Sequence, residues 1–291
     1  MQQWNLTFEH DLGRSTGVRL SYTGSHGSNL ETFVDLNQVK PNTAGYAAVA
    51  STRPYPTWQV VQSVENMGES NYNAATVDVN KRLSNGLQFE SSYVWTRDLS
   101  NEGGAVPSGF VSAGGNYVSN RFQPGLDYGR VSFDRAHRFL TTFLYNLPFG
   151  KGQKVMANSN TLLNGLVAGW QMSGVVVIQS GAFLTPYEES TDPAGTNVES
   201  VVGYARTDRV SGVSMYERKG ATEGSDPLWL NSAAFSIPDN NIGRFGNATV
   251  GSVVGPGTKN VALGMLKSIK LLPGVELNLG IQASNLLNRR N

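Results

Sequence analysis

The chain has 291 residues, of which only 15% are charged, whereas soluble domains carry roughly 25%. Its net charge is +1, so no excess of basic charge is available for nucleic acid. It has no cysteine, which excludes disulfides, cysteine-bound zinc and thiol nucleophiles. No stretch approaches the roughly 18 apolar residues of a membrane-spanning helix. The N-terminal segment lacks the basic and apolar regions of a secretion signal, so we expect either a cytoplasmic protein or a fragment.

Apolar residues recur with a period of two in eight segments, which predicts strands and an all-β fold. In chain order the segments run through 4–8, 18–22, 75–83, 87–96, 139–147, 170–178, 261–269 and 275–283. Tight turns are predicted at 13–16, 84–86 and 271–274, and Asn85-Gly86 is a strong hairpin signal because both residues accept a positive φ. The long connections, at 27–70, 97–132 and 180–258, fall at the other end of the sheet. The connection at 148–165 is too long for a tight turn.

The apolar positions share one face of the predicted sheet, and aromatic residues lie near both ends of that face. This resembles the two aromatic girdles of a membrane barrel. We therefore predict twelve lipid-facing residues: Trp4, Tyr22, Phe89, Tyr93, Trp95, Phe139, Phe143, Tyr145, Trp170, Leu277, Leu279 and Ile281. Lys81 and Lys267 share this face near the tight turns, where their long stems can reach headgroups. A soluble β-sandwich shows the same alternation and stays an alternative.

The opposite face carries small or polar residues such as Thr76, Asp78, Asn80 and Ser173. These side chains would fill the narrow interior of an eight-stranded barrel poorly. A wider barrel with a hydrated lumen suits them better, and eight strands are then only part of it. The chain also stops at Asn291 without the aromatic strand that would close a barrel. We therefore expect an antiparallel transmembrane β-barrel of which this chain is a piece.

A series of segments carries a family resemblance. They are QQWNL (2–6), YTGSHG (22–27), NQ (37–38), SNYNA (70–74), KRLSNGL (81–87), SYVWT (92–96), FDRAHRF (133–139), YNLPFG (145–150), GWQMSG (169–174), GPGTKN (255–260) and NLLN (285–288). In this order they resemble the C-terminal part of the barrel of Oar-like TonB-dependent outer-membrane receptors. The sequence departs from that family at Ala262, Ser284 and Leu287, which affects local packing more than membership.

The resemblance implies a 22-stranded barrel with long extracellular loops. Residues 1–291 would form a partial barrel domain with about eight strands, from roughly the fourteenth to the twenty-first. The plug domain, the TonB box and the final strand would be absent from it. The implied function is active uptake of a scarce solute across the bacterial outer membrane. Its implied partners are outer-membrane lipid, the plug domain, the TonB complex and an unknown small solute.

No catalytic or metal-binding pattern stands out in the sequence, so we predict neither an enzyme nor a cofactor. The three histidines, His10, His26 and His137, are far apart in the sequence and show no spacing typical of metal ligands. The acidic group Glu188, Glu189 and Asp192 is compatible with a cation site or with a solvated acidic loop. Six loop residues are candidates for ligand binding: Tyr55, Trp58, Tyr117, Arg121, Tyr187 and Trp229. The same side chains are equally suited to packing the loops. Two other functions stay open, a secreted soluble β-sandwich that mediates binding or adhesion and a small passive porin.

Overall fold

The computed structural model of the chain describes residues 1–101, 117–198, 205–217 and 230–288. The strands in this part are β1 (Gln2–Gly13), β2 (Thr16–Asp35), β3 (Gln62–Ser84), β4 (Leu87–Ser100), β5 (Gly129–Arg130), β6 (His137–Asn146), β7 (Trp170–Gln179), β8 (Phe183–Leu184), β9 (Tyr187–Glu188), β10 (Ala205–Arg206), β11 (Asp208–Arg209), β12 (Phe235–Ser236), β13 (Val253–Val254), β14 (Thr258–Leu272) and β15 (Val275–Ala283). The α-helices are α1 (Tyr46–Val49) and α2 (Thr161–Val167), and short 3-10 turns lie at Ala50–Thr52, Pro124–Asp127 and Ser232–Ala234. None of the described helices is long and apolar enough to span a membrane.

The eight long strands form one antiparallel sheet in the order β1-β2-β3-β4-β6-β7-β14-β15. The predicted all-β antiparallel fold is therefore confirmed. Seven of the eight predicted segments fall within one of these strands, and the segment 139–147 extends one residue beyond the end of β6. In the described part of the chain the sheet does not close, because β1 and β15 each pair on one side only. The total of 22 strands stays a prediction.

The three tight turns are confirmed at what we call the turn end of the sheet. Arg14 and Ser15 join β1 to β2 with φ of 52° and 61°, and Asn85 and Gly86 join β3 to β4 with φ of 51° and 81°. Gly274 has a φ of 80° between β14 and β15. Positive φ at the central residues twists a two-residue turn in the same sense as its flanking strands.

At the other end, the loop end, three loops connect the strands: L1 (36–61), L2 (101–136) and L3 (180–257). L1 is shorter than the predicted connection at 27–70, because β2 continues to Asp35 and β3 begins at Gln62. Register shifts between Gly27 and Thr32 interrupt the alternation of this outer part and explain why the period-two pattern missed it. The 23 residues of β3 rise about 50 Å at the 45° tilt typical of barrels, twice an apolar band of roughly 25 Å. The outer ends of β2 and β3 therefore project beyond any bilayer that the sheet crosses.

Candidate functional site: the sheet face and the loop surface

Strand register brings the predicted lipid-facing residues onto one face. Across the sheet, Tyr22 lies opposite Ala75 and Ala75 opposite Trp95, while Tyr93 lies opposite Phe139 one step closer to the turns. Extended through the other pairs, this register places all twelve candidates on that same face. Contact of this face with lipid stays a prediction.

The two lysines on this face do not extend freely toward headgroups. Lys267 is only 6% exposed, and its Nζ donates to the carbonyl of Ala168 and lies 5.6 Å from the ring of Trp170. Lys81 folds back onto the turn between β1 and β2, where Nζ donates to the carbonyl of Arg14 at 2.9 Å. Both ammonium groups are bonded to backbone carbonyls near the turns, and their contact with headgroups stays a prediction.

The opposite face of the sheet is polar near the turns. Arg19 Nε donates to Glu9 Oε1 at 2.6 Å, and Arg19 lies opposite Asp78 on the next strand. Both side chains of the Glu9–Arg19 pair are more than half exposed, so water screens the pair and it adds little stability. The predicted contrast between one apolar and one polar face is therefore present in the structure.

L1 and L2 are joined through two side chains. The amide of Gln38 donates to the carbonyl of Ser119 at 2.7 Å and accepts from the backbone of Arg121 at 2.9 Å. The guanidinium of Arg121 returns to L1 and donates to the carbonyl of Leu36 at 2.5 Å. These bonds satisfy main-chain groups that would otherwise be unpaired in the contact.

L2 and L3 share a buried ion pair. Asp127 is 1% exposed and its Oδ1 lies 3.8 Å from Nη2 of Arg206, which donates through Nη1 to the carbonyl of Leu126. Burial raises the pKa of Asp127, although Arg206 and hydrogen bonds from Ser119 oppose that rise. Removing one partner of such a pair leaves an uncompensated buried charge, which is costly.

L3 also contacts L1, and it shares a small apolar core with L2. Asn42 of L1 donates from its backbone to the carbonyl of Ala194 at 2.8 Å and from its side chain to that of Gly195 at 2.7 Å. The core consists of Ala194, Val198 and Phe245, with Tyr117 and Leu126 of L2 packed against it. The three loops therefore form one packed body at the loop end of the sheet.

The tip of L1, defined as residues 53–59, carries two exposed aromatic side chains, Tyr55 and Trp58. Asn37, 1% exposed, donates to the carbonyls of Tyr55, Trp58 and Gln59 at 3.0, 2.8 and 3.0 Å. Its Oδ1 accepts from the backbone N–H of Tyr55 at 2.9 Å. One buried amide therefore holds the tip at four points.

The six residues predicted to bind ligand occupy different environments in the structure. Tyr55 and Trp58 are exposed and lie at the two ends of one turn, whereas Tyr117 stacks on Phe33 with 5.6 Å between ring centroids and Arg121 holds L2 to L1. Tyr187 is exposed on β9. Trp229 lies outside the described residues.

The acidic group of L3 holds the loop together. Glu188 accepts from the backbone and hydroxyl of Ser190 and from Thr191, and Asp192 accepts from the backbone of Thr196 at 2.9 Å. Burial by itself would raise the pKa of Glu188, but these hydrogen bonds hold it below its usual value. Within the described ranges, no three His, Asp or Glu side chains are close enough to share a metal ion.

Sequence reasoning did not single out the polar residues that organise the loops: Asn37 and Gln38 in L1, Asp127 in L2 and Arg206 in L3. The segment NQ at 37–38 was part of the family resemblance, and it was the one available signal. Asp127 and Arg206 lie 79 positions apart, and no local pattern indicates that they meet.

A family model described as an outer membrane beta barrel domain matches residues 1–291. The chain belongs to this family. Membership places it in the bacterial outer membrane, in contact with lipid, and the soluble β-sandwich is wrong because the long strands form one sheet rather than two packed sheets. Among solved structures, the chain is similar to the crystal structure of the outer membrane transporter YddB from Escherichia coli, with 9% identity and a TM-score of 0.42. That match covers 99% of this chain but 28% of the transporter, and the comparison with curated proteins finds no match.

Proposed function

We propose that this chain is part of the barrel of a TonB-dependent receptor that takes up a scarce solute, with L1, L2 and L3 outside the cell. The open sheet carries this proposal, since β1 and β15 have no partner on their outer sides among the described residues. Inside a bilayer every backbone amide must be paired. A barrel wall built on this sheet therefore requires further strands, as a 22-stranded receptor with an internal plug domain supplies.

The loop body adds support for a receptor over a passive pore. L1, L2 and L3 contact one another through hydrogen bonds and the Asp127–Arg206 pair. A ligand-binding surface benefits from loops that are fixed in one arrangement.

Energy dependence distinguishes the two functions. Cells producing the full-length protein would be given labelled ferric siderophore, cobalamin, oligosaccharide and peptide, with and without a protonophore. We expect uptake of at least one solute to stop when the proton gradient collapses, and to be absent in a strain without TonB. Uptake that continues unchanged under both conditions would establish a passive pore and overturn the proposal.

A further inference from the structure

Much of the main chain of the tip is already hydrogen-bonded. Besides the three carbonyls bound to Asn37, the carbonyl of Pro56 accepts from Nη2 of Arg53 at 2.8 Å, and the N–H of Trp58 donates to the carbonyl of Tyr55 at 3.1 Å. Pro54 and Pro56 have no N–H to donate. An extended peptide that binds by adding a strand requires free main-chain donors and acceptors, so the tip is poorly suited to it.

The tip also lacks free charge. Arg53 is its one charged residue, and its guanidinium donates to the carbonyls of Ala50, Pro56 and Gln59 and to the hydroxyl of Tyr46. It also lies over the Tyr46 ring at 5.5 Å. An anionic ligand would therefore have to displace several existing bonds before it could pair with this side chain.

What the tip does offer is two aromatic side chains. Tyr55 is 48% exposed and Trp58 is 64% exposed. The hydrogen bond between them closes a four-residue turn, in which the first and last Cα atoms lie within about 7 Å. Because Asn37 and Arg53 fix the backbone of the tip, little backbone conformational entropy is lost when a ligand binds to these rings.

The position of the tip argues against a role in the membrane girdle. Tyr22 lies in the predicted girdle row, and β2 continues for another 13 residues to Asp35 before L1 begins. At about 3.3 Å per residue and a 45° tilt, these 13 residues place the start of L1 roughly 30 Å above the girdle row that contains Tyr22. Tyr55 and Trp58 are therefore too far out to anchor in lipid headgroups.

We propose that Tyr55 and Trp58 form a platform that binds neutral saccharides. A pyranose ring has an apolar face of C–H groups that stacks on an aromatic ring, while its hydroxyls stay hydrated at the edge. Stacking of this kind requires exposed rings but no free charge and no free main-chain edge. The tip has the rings and lacks the other two features. The inference rests on the proposed function only if the bound saccharide is the solute that is imported. Binding of a saccharide to the platform requires neither TonB nor a membrane potential.

Such a saccharide has two sources, a free oligosaccharide in the medium or the polysaccharide of the cell's own lipopolysaccharide. The full-length protein, purified in detergent and labelled with 5-fluorotryptophan, would be titrated with maltohexaose, with cellohexaose and with delipidated host polysaccharide. We expect at least one of them to shift the fluorine resonance of Trp58, which the variant Trp58→Phe assigns. A shift with the hexasaccharides indicates a solute, and a shift with the polysaccharide alone indicates a surface contact.

Affinity measurements on variants complete the test. We expect Tyr55→Ala combined with Trp58→Ala to weaken binding by at least about tenfold, whereas Trp58→Phe, which keeps a ring, loses less. The matched control Phe133→Ala removes another exposed ring, 70% exposed in L2, and should bind like the parent. The platform is refuted if no saccharide shifts the resonance or if the double variant binds as tightly as the parent. Neither result would bear on proton-dependent uptake, which the cell experiment measures separately.

Discussion

At the scale of single residues, buried polar side chains fix the loops. Asn37, Gln38, Asp127 and Arg206 are each more than nine-tenths buried. Asn37 and Gln38 bond groups from other parts of the loops, and Asp127 accepts from Ser119. Arg206 donates through Nη1 to Leu126, while its Nε and Nη2 have no hydrogen-bond partner among the described residues. A buried polar group is costly unless it is satisfied, so the hydrogen-bonded groups favour one arrangement of their neighbours. This is how loops with a small apolar core adopt a defined shape.

Replacing Asn37 by alanine should loosen the tip without unfolding the sheet. The variant removes the Asn37 donor of the Trp58 carbonyl, whereas the carbonyls of Tyr55 and Gln59 keep the N–H of Trp58 and Nη1 of Arg53. Each hydrogen bond lost costs about 0.5–1.5 kcal/mol. We expect amide hydrogen exchange at residues 55–59 to accelerate by at least about tenfold. Gln59→Ala is the control, because Asn37 bonds the backbone carbonyl of Gln59 and not its side chain. Amide exchange in this variant should be as slow as in the parent. Unchanged exchange in Asn37→Ala would show that the tip is held by other contacts.

The pH dependence of L3 follows from Asp208. Two hydrogen bonds from Arg244, at 2.8 and 2.7 Å, lower the pKa of this carboxyl. Because the pKa is lower in the folded than in the unfolded chain, the pair stabilises L3 fully above about pH 4 and less as the pH falls through the folded pKa. Arg244 is half exposed, so the effect is about 1 kcal/mol or less.

Limited proteolysis of L3 between about pH 3 and pH 6 measures this contribution. We expect Asp208→Asn to be cleaved faster than the parent at pH 6 and to show a weaker dependence on pH. Glu189→Gln, at an exposed acidic position of the same loop, serves as the control for the loss of one charge. Equal pH profiles for the parent and Asp208→Asn would contradict the assignment.

At the scale of elements, alternation along each strand separates an apolar face from a polar one. Val79 and Asn80 are adjacent on β3 and belong to opposite faces, and Val79 lies in the row of Val18 and Ser91, midway between the ends of the apolar face. A basic residue on the lipid face at the bilayer midplane costs about 2–4 kcal/mol, whereas a lumenal position tolerates it.

We therefore expect Val79→Arg to lower the free energy of unfolding in lipid vesicles by about 2–4 kcal/mol and Asn80→Arg to change it little. Denaturant titration of the full-length protein, followed by tryptophan fluorescence, measures both. The opposite order, with Asn80→Arg the more damaging variant, would mean that the faces are assigned the wrong way round.

At the scale of the molecule, the sheet has one large apolar face and two unpaired edges among the described residues. Exposed edges and apolar patches of this size promote association in water. Residues 1–291 produced alone should therefore aggregate without detergent and gain β structure in micelles, as followed by circular dichroism and size-exclusion chromatography. A monodisperse chain in detergent-free buffer that unfolds cooperatively would contradict this expectation.

The sequence by itself determined the eight strands, the three tight turns and the residues that share each face. These features depend on local rules, namely the period of two, the positive φ of residues such as Asn85 and Gly86, and the gathering of aromatic side chains near strand ends. It did not determine that β2 and β3 extend beyond their apolar segments, since bulges near Gly27 reset the alternation. It also did not show that Lys267 binds a carbonyl at the turn end.

The loop body was decided only by the tertiary structure. Asn42 meets Gly195 and Asp127 meets Arg206 because pairing in the sheet brings the ends of distant strands together. No local pattern encodes such a contact, since the energy of a buried polar pair depends on partners far away in the chain. The exposure of Tyr55 and Trp58 was likewise decided by the tertiary structure. In the sequence nothing separates them from the other aromatic residues, whereas in the structure Asn37 fixes the turn between them and both side chains are exposed.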